Sequence, residues 1–394
     1  MAKNIILCTD GTWNGPGKDV DGDPVPTLPS NVLKLYHWLS GRDSIASTSY
    51  AGEAERSLFD SDGNLLQISK YLDGVGDDTN ALVKLLGGVF GAGLVTRIVR
   101  GYTFISRNYV PGDRIFLVGF SRGAYTARAL AGLILSQGLL DARKINLDDK
   151  DQTYKLGCAL WNQKQKNDDR INKVGFFQQL EKTIYDLPGF FSSPPDANML
   201  ITDVEIQAIG VWDTVGALGI PQYENEDQRL DVFRFADLAL NERVEYGFHA
   251  ISLDEQRTDF TPTLWDVRKN LTQWLSPGAH ADVGGSYPTG IESGLSDRAL
   301  FAMQKYLAEL PEGNAALFGP PPHEANPDVL GDAHQPWISS PYKEMPPERR
   351  QSRLFNTEQG LLKDTYIDQR KAGGAVKADP SKSPEKYTPE NLPM

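Results

Sequence analysis

Residues 114–124 read Arg114-Ile115-Phe116-Leu117-Val118-Gly119-Phe120-Ser121-Arg122-Gly123-Ala124. The apolar first half predicts a buried strand, and the alanine-rich stretch that follows predicts a helix. A serine between two glycines at a strand–helix turn is typical of a nucleophile elbow, where side chains at Gly119 and Gly123 would collide with the neighbouring strand and helix. The stretch therefore predicts an α/β-hydrolase fold with Ser121 as nucleophile, the alternative being a tight turn with a capping serine.

Similar alternation of strands and helices is predicted on both sides of this turn. Further strands are predicted at residues 4–9, 67–72, 205–212 and 271–275. Helices are predicted over residues 32–39, 81–109 and 124–136, from 213 to about 253, and from 295 to about 310. This order predicts an α/β architecture with a mostly parallel central sheet and helices on both faces.

The domain organisation follows from composition along the chain. Residues 1–310 are predicted to form the α/β-hydrolase domain, with a cap or lid inserted at about residues 141–200. Within that insertion, four phenylalanines either form an apolar acyl site or anchor the cap to the core: Phe176, Phe177, Phe190 and Phe191. Residues 311–394 are rich in proline and are predicted to pack on the same domain as irregular chain.

The overall charge and the cysteine content disfavour several classes of function. The chain has 394 residues and a formal net charge of −12, which disfavours nucleic-acid binding and leaves only local, peripheral contact with membranes. Two cysteines without a CxxC spacing give no zinc framework. The N-terminal apolar run and the one at residues 85–95 are too short for a signal peptide or a membrane span. We expect a soluble protein without a cofactor, cytoplasmic or exported without a cleavable signal.

A nucleophilic serine needs a general base, and one of the five histidines suits that role best. His280 follows a predicted strand in the loop-like stretch Gly278-Ala279-His280-Ala281-Asp282. It is the predicted base, the alternative being a structural loop histidine. His249, in a stretch of helical character, is the reserve.

The acid of a triad should lie between the serine and the histidine, because this fold places nucleophile, acid and base in that chain order. Asp213 ends a predicted strand and is the preferred acid, which would hold the imidazole tautomer. The alternative is an aspartate that caps the following turn. Asp254 and Asp282 are the other candidates for the acid.

An oxyanion hole requires two backbone donors. One is predicted to be the N–H of Arg122, directly after the nucleophile, and the other the N–H of Thr12 in the Gly11-Thr12 loop after the first strand. Three strand-end or loop aspartates are predicted either to organise these loops or to hold a cation, although no metal is firmly predicted: Asp10, Asp73 and Asp282.

Seven motifs, in this order along the chain, resemble the DUF2235 family of α/β-hydrolases. They are Asp10-Gly11-Thr12-Trp13-Asn14, Tyr71-Leu72-Asp73-Gly74-Val75-Gly76, Gly119-Phe120-Ser121-Arg122-Gly123-Ala124, Val211-Trp212-Asp213-Thr214-Val215-Gly216, Leu253-Asp254-Glu255-Gln256-Arg257, Pro277-Gly278-Ala279-His280-Ala281-Asp282-Val283-Gly284-Gly285 and Tyr387-Thr388-Pro389-Glu390-Asn391-Leu392-Pro393. That family includes one class of phospholipase effectors of bacterial type VI secretion. The resemblance implies a Ser-Asp-His triad at Ser121, Asp213 and His280, a lipid or small ester as substrate, and secretion-system and immunity proteins as partners.

Three other functions are compatible with parts of the sequence. Strand-end aspartates could hold Mg²⁺ in a metal-dependent phosphoesterase. The run that ends at Asp10-Gly11-Thr12 resembles the signature of haloacid-dehalogenase phosphatases, but Cys8 stands where those enzymes carry a nucleophilic aspartate. A non-catalytic, hydrolase-fold binding protein is the second alternative, and the intact Ser, Asp and His argue against it. A patatin-like Ser-Asp dyad is the third, and it predicts that His280 is dispensable.

Overall fold

The computed structural model describes most of the chain, in fourteen ranges separated by gaps. The described residues are 2–11, 17–18, 24–25, 28–44, 53–74, 90–167, 192–215, 240–257, 260–311, 317–321, 325–338, 343, 361–363 and 365–392.

One large sheet forms the centre of the molecule, and its strands are labelled here in chain order. In spatial order they are β13 (Leu361–Lys363), β12 (Leu271–Ser276), β11 (Val244–Ser252), β10 (Ile206–Trp212), β7 (Arg114–Phe120), β1 (Asn4–Thr9), β6 (Leu65–Leu72), β5 (Glu53–Phe59) and β4 (Arg42–Asp43). All neighbours from β13 to β6 are parallel. The two strands at the β4 edge are antiparallel. The predicted, mostly parallel sheet is therefore confirmed.

Smaller strands pair outside this sheet among the described residues. The two-stranded pairs are β2 (Gly17–Lys18) with β3 (Pro24–Val25), β8 (Leu139–Leu140) with β9 (Leu200–Ile201), and β14 (Ala375–Val376) with β15 (Glu385–Lys386).

Helices cover both faces of the large sheet. The α-helices among the described residues are α1 (Asn31–Trp38), α2 (Phe90–Asn108), α3 (Arg122–Gln137), α4 (Lys150–Asn167), α5 (His280–Gly284), α6 (Gly294–Ala308) and α7 (Thr365–Ala372). Alternate side chains of β1 define the two faces, because successive residues of a strand point to opposite sides. Ile5 and Leu7 join the apolar core with α2, α3 and α4, whereas Ile6 and Cys8 join the core with α1 and α6.

The order of the strands has a switch point at the centre of the sheet. From β1, the chain adds β6 on one side and then β7, β10, β11 and β12 in turn on the other. Ligands of such sheets bind beyond the carboxyl ends of the strands at this switch point. The last residues of the central strands lie level, since Thr9 is in register with Leu72 and with Gly119.

Residues 244–252 differ from the prediction. The expected helix up to about residue 253 is wrong here, because these residues form β11, a buried strand between β10 and β12. Glu245, Gly247 and His249 interrupt the apolar run, so its β character was obscured. A Cβ at Gly247 would lie 2.3 Å from Leu271 Cδ1, so a larger residue would require the Leu271 side chain to move.

The stretch predicted to form a cap is partly a component of the core. Within residues 141–200, α4 places Cys158, Leu160 and Trp161 in the apolar cluster of α2 and α3. Residues 168–191, with the four phenylalanines, lie outside the described residues, so the cap stays a prediction.

The proline-rich segment is more regular than predicted. Its described residues include β13, which extends the large sheet next to β12, and α7, whose Arg370 is fully buried. A three-residue strand is too short to show a periodic pattern in the sequence. Among the described helices, none has the length and apolar character needed to cross a membrane.

Candidate active site

Ser121 occupies a strained turn between β7 and α3. Its φ of 57° and ψ of −123° lie in a region that L-residues rarely adopt. The surrounding backbone holds this geometry: the Ser121 N–H donates to the Trp212 carbonyl at 3.1 Å, and its carbonyl accepts from the Tyr125 N–H at 3.2 Å. The turn thus presents the serine side chain at the carboxyl end of the central sheet.

Both glycines of the elbow fill places where a side chain has no room. A Cβ at Gly119 would lie 2.6 Å from the Gly123 carbonyl, and a Cβ at Gly123 would lie 2.1 Å from the Thr9 oxygen. These neighbours are backbone atoms, which cannot move aside as a flexible side chain could. The Thr9 hydroxyl connects the same elements, because it lies 3.0 Å from the Val118 carbonyl oxygen and 2.8 Å from that of Gly123 and can donate its proton to either.

His280 reaches Ser121 from the first position of α5. Its Nε2 lies 2.8 Å from Ser121 Oγ, and its ring contacts the rings of Phe120 and Phe260 at centroid distances of 4.6 and 4.8 Å. These aromatic contacts and the 5% exposure of His280 limit the orientations open to the ring. The imidazole is therefore positioned by packing as well as by hydrogen bonds.

Asp213 lies on the other side of the imidazole. Its Oδ2 is 2.6 Å from His280 Nδ1, and its Oδ1 accepts the Ser252 N–H at 2.9 Å. The residue is fully buried and has a φ of 34°, a conformation that aspartate tolerates better than most residues. Since a carboxylate is an acceptor, Nδ1 carries the proton and Nε2 is free to accept the serine hydroxyl.

Burial lowers the pKa of His280 below its ordinary value of 6.5, although its hydrogen bond to Asp213 and the charge of that carboxylate act in the opposite direction. Glu255 also contacts His280, because its Oε2 accepts the His280 backbone N–H at 3.1 Å. The Arg257 guanidinium pairs with Glu255 at 2.8 Å and stacks 3.5 Å from the centre of the Phe260 ring. A pKa below 6.5 favours the neutral imidazole at pH 7, which is the form needed in a general base.

Only one of the two predicted oxyanion donors lies in the described residues. Arg122 is the first residue of α3, and N–H groups of a first helical turn have no acceptor within the helix. Thr12 lies outside the described residues. The Gly11 N–H donates to the carboxylate of Asp10 at 2.7 Å. The oxyanion hole therefore stays a prediction.

The three further aspartates are each engaged by protein donors. Asp10 accepts from the hydroxyls of Ser30 and Tyr71. Asp73 pairs with Arg97 at 2.9 Å. Asp282 accepts from His334 Nδ1 at 2.7 Å. Within the described part of the chain, no three His, Cys, Asp or Glu side chains are grouped so that they could hold a metal ion. These contacts favour the loop-organising role.

The reserve candidates lie around the site rather than in the Ser121–His280 contact. His249 is on β11, where its Nε2 accepts the Thr214 N–H at 3.0 Å, directly beside Asp213. Asp254 accepts the Gly278 N–H at 2.7 Å. Both side chains support the loops that carry Asp213 and His280.

Several supporting residues were not identified by reasoning about chemistry in the sequence. Ser252 acts through its backbone, which no sequence pattern reveals. Glu255 and Asn391 were part of motifs that carried only the family resemblance. His334, in the proline-rich segment, gave no signal, because its partner Asp282 lies 52 residues earlier.

Several known proteins are similar to parts of this chain. An uncharacterized protein of Saccharomyces cerevisiae, YEL023C, is 30% identical over 259 residues, which are 66% of this chain and 32% of that protein. A crystal structure of an uncharacterized Pseudomonas aeruginosa protein has a TM-score of 0.40 at 19% identity, covering 81% of this chain and 48% of the other. The structure of a Tle1 effector bound to the VgrG spike of the type 6 secretion system has a TM-score of 0.36 at 18% identity, covering 75% of this chain and 53% of the other. The chain thus spans about a third to a half of the length of these proteins.

A family model also matches most of the sequence. The match extends over residues 3–305 and therefore includes β1, the elbow, Asp213 and His280. Its description is the catalytic domain of the Tle1-like phospholipase effectors of type VI secretion. Since the match covers well over half of the chain, this protein belongs to the Tle1-like phospholipase effector family, as the motifs predicted.

Proposed function

We propose that this protein is a serine esterase that cleaves the carboxylic ester bonds of phospholipids. The observation that carries the proposal is the continuous hydrogen-bond chain from Ser121 Oγ to His280 Nε2, and from His280 Nδ1 to Asp213, at 2.8 and 2.6 Å. Membership of a phospholipase effector family supports a lipid as the substrate.

In the proposed reaction, Ser121 Oγ attacks the ester carbonyl carbon while His280 Nε2 takes the hydroxyl proton. Asp213 holds the imidazole tautomer and stabilises the imidazolium that forms. The carbonyl oxygen becomes an oxyanion, for which the N–H groups of Arg122 and Thr12 are the proposed donors. The imidazolium then protonates the leaving alcohol, and an acyl-enzyme remains.

Water completes the cycle with the same groups. A water molecule attacks the acyl carbonyl carbon while His280 takes one of its protons. His280 then returns the proton to Ser121 Oγ as the fatty acid leaves. The lowered pKa of His280 keeps its ring able to accept the first proton at neutral pH.

The proposal extends to partners and location. The Tle1 effector in the solved complex is bound to a VgrG spike, and we propose a spike protein and an immunity protein as partners of this chain. Export would then start from the cytoplasm and need no cleavable signal peptide.

The test uses a p-nitrophenyl ester and phosphatidylethanolamine vesicles, with wild type, Ser121→Ala and the control Ser136→Ala, each with and without EDTA. Ser136 lies near the end of α3, the helix that follows Ser121, and is exposed, so its change should leave activity intact. We expect Ser121→Ala to abolish the release of p-nitrophenol and fatty acid and EDTA to have no effect. Full activity in Ser121→Ala, or loss of activity with EDTA alone, would contradict the serine mechanism and favour the carboxylate–metal alternative.

A further inference from the structure

The loops around His280 are held by residues from beyond the part of the chain that the family model matches. The match ends at residue 305, whereas His334, Tyr387 and Asn391 lie in the described residues 325–338 and 365–392. We call these two ranges the C-terminal segment. Its contacts with the residues around His280 fall into two groups. We call those of His334 the first anchor and those of Tyr387 and Asn391 the second anchor.

The first anchor is His334. Its Nδ1 lies 2.7 Å from Asp282 Oδ1 and its Nε2 lies 3.2 Å from Glu292 Oε2. Its ring stacks on that of Tyr287, with centroids 3.3 Å apart and planes 9° apart. Both ring nitrogens thus face carboxylates, an arrangement in which a doubly protonated imidazolium donates twice.

Asp282 connects His334 to the start of α5. Its Oδ2 accepts two backbone N–H groups, from Ala279 at 2.8 Å and from His334 at 3.0 Å. Ala279 directly precedes His280, and Asp282 is fully buried. The carboxylate therefore joins the C-terminal segment to the start of the short helix whose first residue is His280.

The second anchor holds the loop on the other side of His280. The Tyr387 hydroxyl donates to Asp254 Oδ2 at 2.8 Å, and the same oxygen accepts the Gly278 N–H at 2.7 Å. Asn391 Nδ2 donates to the carbonyl oxygens of Leu253 and Glu255 at 2.7 and 3.2 Å. Glu255 in turn accepts the His280 N–H.

We propose that the C-terminal segment is part of the active site, with His334 and Tyr387 as positioning residues for His280. The inference rests on the proposed function, because it assigns these residues to the orientation of its base. α5 has only five residues, too few to fix its own direction, so the direction comes from Asp282 and the residue 253–257 loop. A displacement of the base of about 1 Å can lower a rate roughly 100-fold.

The test compares His334→Ala, His334→Asn and Tyr387→Phe in the full chain, with Ser381→Ala as the control. In His334→Asn, the new side-chain amide could occupy the place of the imidazole Nδ1 and donate to Asp282, although it is too short to reach Glu292. Ser381 is an exposed residue of the same segment, and its hydroxyl donates to Asp379. The kcat and KM for a p-nitrophenyl ester are measured per active site, counted by covalent labelling of Ser121 with a fluorophosphonate.

We expect His334→Ala to lower kcat by about tenfold to 100-fold with KM within about twofold, because base alignment changes and ester binding does not. His334→Asn should recover most of kcat, Tyr387→Phe should lie between wild type and His334→Ala, and Ser381→Ala should match wild type. The acidic limb of kcat/KM should move up towards pH 6.5 in His334→Ala, because a less buried His280 loses the burial that lowers its pKa. Its charged neighbours Asp213, Glu255 and Arg257 are unchanged in that variant.

A kcat per labelled site within about twofold of wild type for both His334→Ala and Tyr387→Phe, with the acidic limb unmoved, would overturn the inference. Tyr387→Phe removes a single oxygen, so this variant alone can test the inference if His334→Ala does not fold. The two proposals fail differently: turnover by Ser121→Ala would contradict the serine mechanism itself. Loss of turnover in Ser121→Ala together with an unchanged His334→Ala would contradict only the positioning role.

Discussion

The backbone N–H of Ser252 donates to Asp213 Oδ1 at 2.9 Å, although Ser252 ends a strand that carries no member of the proposed triad. This bond leaves Oδ2 of the same carboxylate directed at His280 Nδ1. The sheet itself therefore fixes the orientation of the acid, since the donor is a main-chain atom of β11.

We expect Asp213→Asn to lower kcat by roughly 10⁴-fold with little loss of stability. Asparagine tolerates the φ of 34° at this position, and its Oδ1 can still accept the Ser252 N–H. Its amide would then point a donor at His280 Nδ1, which forces the proton to Nε2 and removes the acceptor for Ser121. Steady-state kinetics and urea unfolding of the same preparation check both parts.

A kcat close to wild type in Asp213→Asn would mean that the acid is another residue. Asp254→Asn is the matched comparison, because Asp254 was a candidate acid and is half-buried. Its own contacts are with Gly278 and Tyr387, so a small fall in kcat is expected there.

The acidic limb of kcat/KM should have its midpoint below pH 6.5. Burial lowers the pKa of His280, and a general base is active only when neutral. A lower pKa means that the ring stays neutral to a lower pH, so activity should persist where an exposed histidine would already be protonated. A pH series with an uncharged ester measures the limb, and a midpoint above 6.5 would contradict the assignment.

Gly123→Ala should destabilise the fold by roughly 3 kcal/mol and abolish activity, because its Cβ would lie 2.1 Å from the Thr9 oxygen. Gly132→Ala, in the same helix, is the control. Its Cβ would meet only the Lys164 side chain, at 3.4 Å, and alanine should add about 0.5–1 kcal/mol of stability there. Urea unfolding of the two variants should show effects of opposite sign, and equal effects would argue against a packed elbow.

His280→Gln and His249→Gln should separate the base from its reserve. We expect a loss of about 10³-fold or more in kcat for His280→Gln, whose amide is not a base. His249→Gln should keep most of kcat, because the glutamine oxygen can replace Nε2 as acceptor for the Thr214 N–H. A His280→Gln enzyme with normal kcat would instead favour the Ser-Asp dyad.

Much of the sheet could be predicted from the sequence because its strands are buried on both faces. The predicted bounds of residues 4–9 and 114–120 agree with β1 and β7, since parallel, doubly covered strands are continuous apolar runs. β5 was missed for the opposite reason: Glu53–Phe59 is an antiparallel strand near the sheet edge with partly exposed side chains, and its charged residues hide the β pattern.

Only those residues of the site that side-chain chemistry and chain order single out could be predicted from the sequence. The order nucleophile, acid, base selected Ser121, Asp213 and His280, and the structure brings these three side chains into contact. The contacts of His334 and Tyr387 depend on where residues 325–338 and 365–392 pack against the domain. No periodicity or motif fixes that path, because the hydrogen bonds join residues 52 and 133 positions apart.

The place of β1 has a consequence for folding kinetics. This strand comes first in the described chain and lies in the middle of the sheet. Asn4 bonds to Gln67 and Lys3 to Asp113, 63 and 110 positions further along the chain. Closing such long loops costs entropy before any contact is gained, so a fold of this contact order forms slowly. Refolding, followed by stopped-flow fluorescence, should therefore be slower than that of a domain of similar length built mainly from local contacts.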